Sequence, residues 1–206
     1  MKINKTVLEI SCFLALFLAI ITGGSFSSLK KDCDGIKNEV FRLHVIANSD
    51  SKEDQELKLF VRDAILKESE EIFSKANGKE SAEKKAQKNL SLFLKTAEDA
   101  IKKNGYDYNV CVSVGKSKFP TKTYSSVTLP AGEYDALRVV IGKGEGKNWW
   151  CVMFPPLCLP AAEGEEKLSD VLSKSEFELV KSKPKYEIRF WLVEKFEQLK
   201  ERINAG

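Results

Sequence analysis

The stretch Trp149–Cys158, WWCVMFPPLC, decides how the rest of the chain is read. Trp149–Phe154 is aromatic, β-branched and sulfur-bearing with no breaker, which predicts a strand. The run is too continuous for a sheet with one wet face, so a strand covered on both faces is expected. Pro155 and Pro156 end it, because proline offers no ladder N–H and holds the preceding residue extended. Burying each tryptophan removes about 150–250 Å² from water, worth at most about 4–6 kcal/mol. Two readings follow: a core strand with a bent exit, or a strand that leaves tryptophan exposed to anchor a partner.

Outward from this stretch, the period of apolar residues changes twice. Val40–Ala47, VFRLHVIA, reads as a strand with Phe41, Leu43 and Val45 on one face and Arg42, His44 and Ile46 on the other. Asn48-Ser49-Asp50-Ser51 then opens a helix. Asp50 with Glu53 forms one capping-box frame, and Ser51 with Asp54 forms another. The helix is expected over about 52–75 from Leu57, Phe60, Val61, Ala64, Ile65 and Ile72, and Asn77-Gly78 ends it. A second helix is expected over about 81–103, on Ala82, Ala86, Leu90, Phe93, Ala97 and Ile101. Period two returns at Tyr108–Val114, and strands are expected at Lys122–Leu129 and Ala136–Ile141. Gly142-Lys143-Gly144-Glu145-Gly146 reads as a hairpin turn between the last two strands. It is no dinucleotide motif, since that requires a helix directly after the glycines. Lys167–Val180 reads as a helix, Pro184 breaks it, and Tyr186–Ile203 forms a terminal amphipathic helix on Ile188, Trp191, Leu192, Phe196 and Leu199.

The expected fold is therefore α/β. A mixed sheet of about five strands carries two consecutive helices after the first strand and a C-terminal helix. Ahead of this lies a signal or anchor helix. Lys2 and Lys5 precede the apolar run Val7–Ile21, whose 12–15 apolar residues are fewer than the roughly 20 a bilayer span needs and suit a signal segment. The domain reading is 1–28 signal peptide or membrane anchor, 29–38 polar linker, and 39–206 a single exported domain, with the membrane touched only through the N-terminal segment.

Composition narrows the function. The 206 residues carry a net charge of +3 with 43% apolar and 31% charged residues, and no basic run interleaves with aromatics, so nucleic acid is not the expected partner. The single histidine, His44, leaves little room for histidine chemistry or a zinc site, and no catalytic residue, metal or cofactor is expected. The alternative is a secreted cysteine hydrolase pairing His44 with a cysteine. Export makes disulfides available. Closing Cys151 to Cys158 would contribute about 2.5 kcal/mol on the chain-entropy model. Cys33 and Cys111 are open to a second bridge.

Three stretches carry a family resemblance. FRLHVIANSDSKEDQELKLFVRDAIL (Phe41–Leu66), LPAGEYDALRVVIGKGEGKNWWCVMFPPLC (Leu129–Cys158) and YEIRFWLVEKFEQ (Tyr186–Gln198) resemble stage II sporulation protein R of endospore-forming bacteria. The resemblance implies a signalling protein rather than an enzyme. It would be made in the forespore and exported across the forespore membrane into the intermembrane space. There it would activate the membrane-embedded aspartic protease of the mother cell that processes pro-sigma-E. Candidate partner-binding residues in the matching stretches are Asn48, Asp50, Arg62, Trp149 and Trp150. The competing reading of the first three is capping and salt-bridge work at one strand–helix junction.

Overall fold

The computed structural model describes residues 27–124, 127–156, 168–181 and 195. The signal or anchor segment before residue 27, Cys158 and the terminal helix expected at Tyr186–Ile203 lie outside them, apart from Lys195. No helix among the described residues is long and apolar enough to cross a membrane.

The fold is mixed α/β and is built on β1 (Phe41–Ile46), whose six residues are all buried. An α1 helix (27–39) precedes it. After β1 come α2 (Lys52–Phe73), α3 (Lys79–Lys88) and α4 (Leu90–Lys103), then strands β2 (Val110–Phe119), β3 (Lys122–Tyr124), β4 (Val127–Leu129), β5 (Gly132–Ile141) and β6 (Asn148–Phe154), and finally α5 (Lys174–Lys181). The main sheet has the order β2-β5-β1-β6, with β1 and β5 parallel and the other two pairs antiparallel.

The sheet is covered on both faces, as its all-buried central strand requires. On one face, Leu43, Val45, Leu137, Val139, Cys151 and Met153 pack against the stripes of α2 and α4, with Leu57, Val61, Ile65, Phe93, Ala97 and Ile101 buried. On the other, Tyr134, Ala136 and Val152 pack against Cys33 and Ile36 of α1, Leu129 of β4, and Leu179 and Val180 of α5. At β6 the expected double cover holds from Cys151 to Phe154, which are buried, while Trp149 and Trp150 are half-buried.

Several expectations are corrected. The polar linker read at 29–38 is part of α1: Leu29, Cys33, Ile36 and Val40 recur at helical spacing, and the last three are fully buried. The helix expected over 81–103 is two helices. Asn89 interrupts it with φ −106° and ψ 19°, its side-chain amide donating to the Lys85 carbonyl at 2.8 Å. The strand expected at Lys122–Leu129 folds back on itself, with Tyr124 paired to Val127, so a two-stranded ribbon accompanies a four-stranded sheet. Glycines 142–146 do not close a hairpin. β5 and β6 both pair with β1, which lies between them, so the glycine loop crosses the end of β1. Cys33 and Cys111 form no second bridge and carry free thiols.

Candidate functional site

That crossing brings the two most distinctive parts of the sequence together. Residues 142–147 lie on the β1–α2 junction and are bonded to it by backbone. The Gly146 amide donates to the Ala47 carbonyl at 3.0 Å, and the Glu145 amide to the Asn48 carbonyl at 3.2 Å. Side chains complete the lock. Asn48 Oδ1 accepts from the Lys143 amide at 3.0 Å, and Asp50 Oδ1 accepts from the Lys147 amide at 2.7 Å. Glycine is required here by space. A Cβ on Gly146 would stand 2.2 Å from the Ser49 carbonyl oxygen, and one on Gly142, whose φ is +56°, 2.2 Å from Asn48 Oδ1.

Of the two capping frames, the structure selects Ser51. Its hydroxyl accepts from the Asp54 amide at 3.1 Å. Asp50, the cap of the other frame, is instead the acceptor for Lys147. The Asp54 carboxylate does not close the box; it accepts from Asn48 Nδ2 at 2.8 Å and Ser49 Oγ at 2.5 Å. Burial alone would raise its pKa, but the hydrogen bonds from Ser49, Asn48 and Tyr108 outweigh this and hold the carboxyl below its ordinary value. Lys58, 4% exposed, donates to Gln55 Oε1 and to the Lys147 carbonyl at 2.9 Å, tying the middle of α2 to the same loop. Burial holds its ammonium below the ordinary lysine value.

From this platform β6 presents its tryptophans on opposite faces. Trp149 lies under the Arg62 guanidinium, 4.3 Å from the ring centroid, and Arg62 also pairs with Asp63 at 2.7 Å. Trp150 stacks on His44, ring centroids 6.2 Å apart and planes 18° off parallel. Both indole N–H groups are buried, and neither has an acceptor among the described residues. All five candidates, Asn48, Asp50, Arg62, Trp149 and Trp150, therefore gather at one end of β6, although nothing in their spacing along the chain pairs them.

His44 is not set up for thiol chemistry. Its Nδ1 is 2.8 Å from Ser117 Oγ and its Nε2 is 2.7 Å from Asn148 Oδ1. An acceptor at Nε2 places the proton there, leaving Nδ1 to accept from the serine hydroxyl. Burial, then Arg138 and Arg42, hold its pKa below the ordinary value against the opposing bond from Asn148. Cys151 is paired with Leu43 and packs in the helical core, on the other face of the sheet. The cysteine–histidine pair of the hydrolase reading is thus not formed with Cys151.

Arg42 is the feature that sequence reasoning missed. It is fully buried, with no carboxylate paired to it among the described residues. Its Nε donates to the Cys151 carbonyl at 3.3 Å and its Nη2 to the Tyr124 hydroxyl, while Nη1 has no partner among the described residues. The guanidinium lies 4.0 Å from the Phe119 ring centroid and 4.7 Å from that of Tyr134. Weak hydration and a flat face let a guanidinium replace water by π-systems. Alternation placed Arg42 on a sheet face; only tertiary packing supplies the three rings. Among the described residues no group of three or more His, Cys, Asp or Glu is placed to hold a metal ion.

Comparison with known proteins identifies the family. The family model of stage II sporulation protein R matches residues 37–163, which contain both locked segments. Stage II sporulation protein R of Bacillus subtilis (strain 168) is 32% identical over 221 aligned residues, covering 93% of this chain and 96% of that protein. No solved structure matches.

Proposed function

Because the chain belongs to the stage II sporulation protein R family, we propose that it is a sporulation signal, made in the forespore and exported into the intermembrane space. It acts there as a ligand without chemistry of its own. Its partner is the membrane-embedded aspartic protease of the mother cell, which it activates to process pro-sigma-E. The observation that carries the reading is the locked platform. Two segments nearly a hundred residues apart are bonded into one surface, and that surface holds Trp149 and Trp150 half-buried at its rim. Rigid aromatic anchors beside an Arg are the composition of a protein-interface hot spot.

A disulfide between Cys151 and Cys158 belongs to the same proposal. It would pin the exit of β6 in an oxidising space. Its support is that Cys33 and Cys111 carry free thiols whereas Cys151 has no thiol to titrate.

The test is pro-sigma-E processing in a sporulating strain carrying Trp150→Ala, with the exported level of the variant measured beside it. The expected result is normal accumulation with processing lost. Normal processing at a normal level removes Trp150 from the contact surface, and normal processing in a strain deleted for the gene removes the protease-activation reading altogether.

A further inference from the structure

The opposite end of β6 opens on a cavity of about 500 Å³. Its walls are Leu66 and Phe73 of α2, Val152 and Phe154 of β6, and Val171 of the helical turn at 168–171. Two charged residues line it among those described, Glu70 and Asp170; both are exposed and both are acidic. Neither Lys nor Arg is among the described lining residues.

Glu70 is badly placed for the helix that carries it. The C-terminus of a helix bears partial negative charge and favours cations. Yet α2 closes with Glu68, Glu70 and Glu71, and its last turn holds no basic residue. Lys75 follows beyond the cap but does not line the cavity. A local rule broken in the last turn of a helix marks a place where something other than helix stability is served.

We propose that this groove is a docking site for a partner's peptide segment that combines apolar side chains with Lys or Arg. The apolar side chains would fill the space between Leu66, Phe73 and Val152, while the cation meets Glu70 and Asp170 at the rim. Apolar walls with a few placed polar groups are the usual make-up of such a site, and the pairing of charge sets which segments are admitted. The site is separate from the tryptophan platform and does not depend on the protease-activation reading.

The probes are two peptides with one apolar core: acetyl-Lys-Lys-Leu-Phe-Leu-amide and acetyl-Glu-Glu-Leu-Phe-Leu-amide. Each is titrated into the full chain while methyl NMR signals of Leu66, Val152 and Val171 are followed. The basic peptide should shift these signals, and its affinity should fall at least tenfold in the double variant E70K/D170K. If that variant does not fold, E70Q/D170N gives the same comparison with a smaller fall. Equal binding of both peptides overturns the proposal, as does unchanged affinity in the variants or the absence of any shift. Shifts that appear only after residues 182–206 are removed also overturn it, because the groove would then belong to the chain's own C-terminal segment.

Discussion

At its start β6 leaves a loop whose amides are bonded into the β1–α2 junction; at its end it runs into an apolar groove with an acidic rim. The first end is held by directional bonds between distant segments. Asn48 and Asp50 spend their acceptors on the amides of Lys143 and Lys147, and Gly146 lies against the Ser49 carbonyl with no room for a side chain. Among the described residues, the second end has an open apolar cavity with two acids at its rim, Glu70 and Asp170. The contrast teaches where substitutions should register. Damage to the backbone lock itself should first be a loss of folding, whereas damage to the tryptophan rim or at the groove end should spare the fold.

The largest expected effect is Gly146→Ala. The new methyl must displace the Ser49 backbone, which belongs to the loop that caps α2, so relief at one place opens the other. A loss of about 3 kcal/mol is expected, read as a fall in the urea midpoint at unchanged slope. A change below about 0.5 kcal/mol would mean that the two segments slide freely, and the contrast between the ends would break.

A milder perturbation tests the same lock by pH. The Asp54 carboxyl is held below its ordinary value, so its contribution is present above the unfolded carboxylate value of about 3.9 and is lost as pH falls through the lower folded value. The stability difference between the native chain and Asp54→Asn should therefore be flat from pH 7 to about 5 and shrink below about pH 4. A difference that grew with acid would reverse the assigned direction. Asp34 and Asp135 are lowered too, so the difference between the two proteins is the measurement, not the native curve alone.

How much of this was legible in the sequence depends on how far apart the deciding residues lie. β1 and α2 were legible because alternation from Phe41 to Ile46 and the stripe Leu57–Val61–Ile65 are local patterns that burial then enforces. The capping choice was local but degenerate: Asp50 and Ser51 both satisfy the motif, and the tie is broken by Lys147, 97 residues away. The β5–β6 hairpin failed for the same reason. A short glycine loop predicts adjacent strands, but β1, buried on both faces, takes the interior place between them. α1 was hidden by composition, since four apolar residues on one stripe are diluted by lysine and aspartate on the other. Asn48, Asp50 and Arg62 came from resemblance, while Trp149 and Trp150 were already singled out by the apolar run; the meeting of all five at one end of β6 is visible only in three dimensions.

At the rim of the locked end sits the contact of Arg62 with Trp149. It is partly exposed and shared with Asp63, so its coupling should be small, about 0.5–1 kcal/mol. A double-mutant cycle over Arg62→Gln and Trp149→Leu isolates it, because each change keeps a polar or an apolar side chain in place. A coupling near zero would leave Arg62 available to a partner and move it from the platform to the binding surface.

The smallest expected effect has the opposite sign and sharpens the contrast most. Glu70→Lys exchanges an acid for a base near the C-terminus of α2. Helix electrostatics alone then predicts a gain of about 0.3–1 kcal/mol, measured as a raised urea midpoint. Glu70 is exposed, and no hydrogen bond or ion pair ties it among the described residues, so nothing in the fold opposes the gain. If stability rises while the basic peptide loses its hold, the acid is being kept at the expense of the helix for what it meets outside. If stability falls instead, Glu70 has a structural task, and the groove end would then support the fold just as the locked end does.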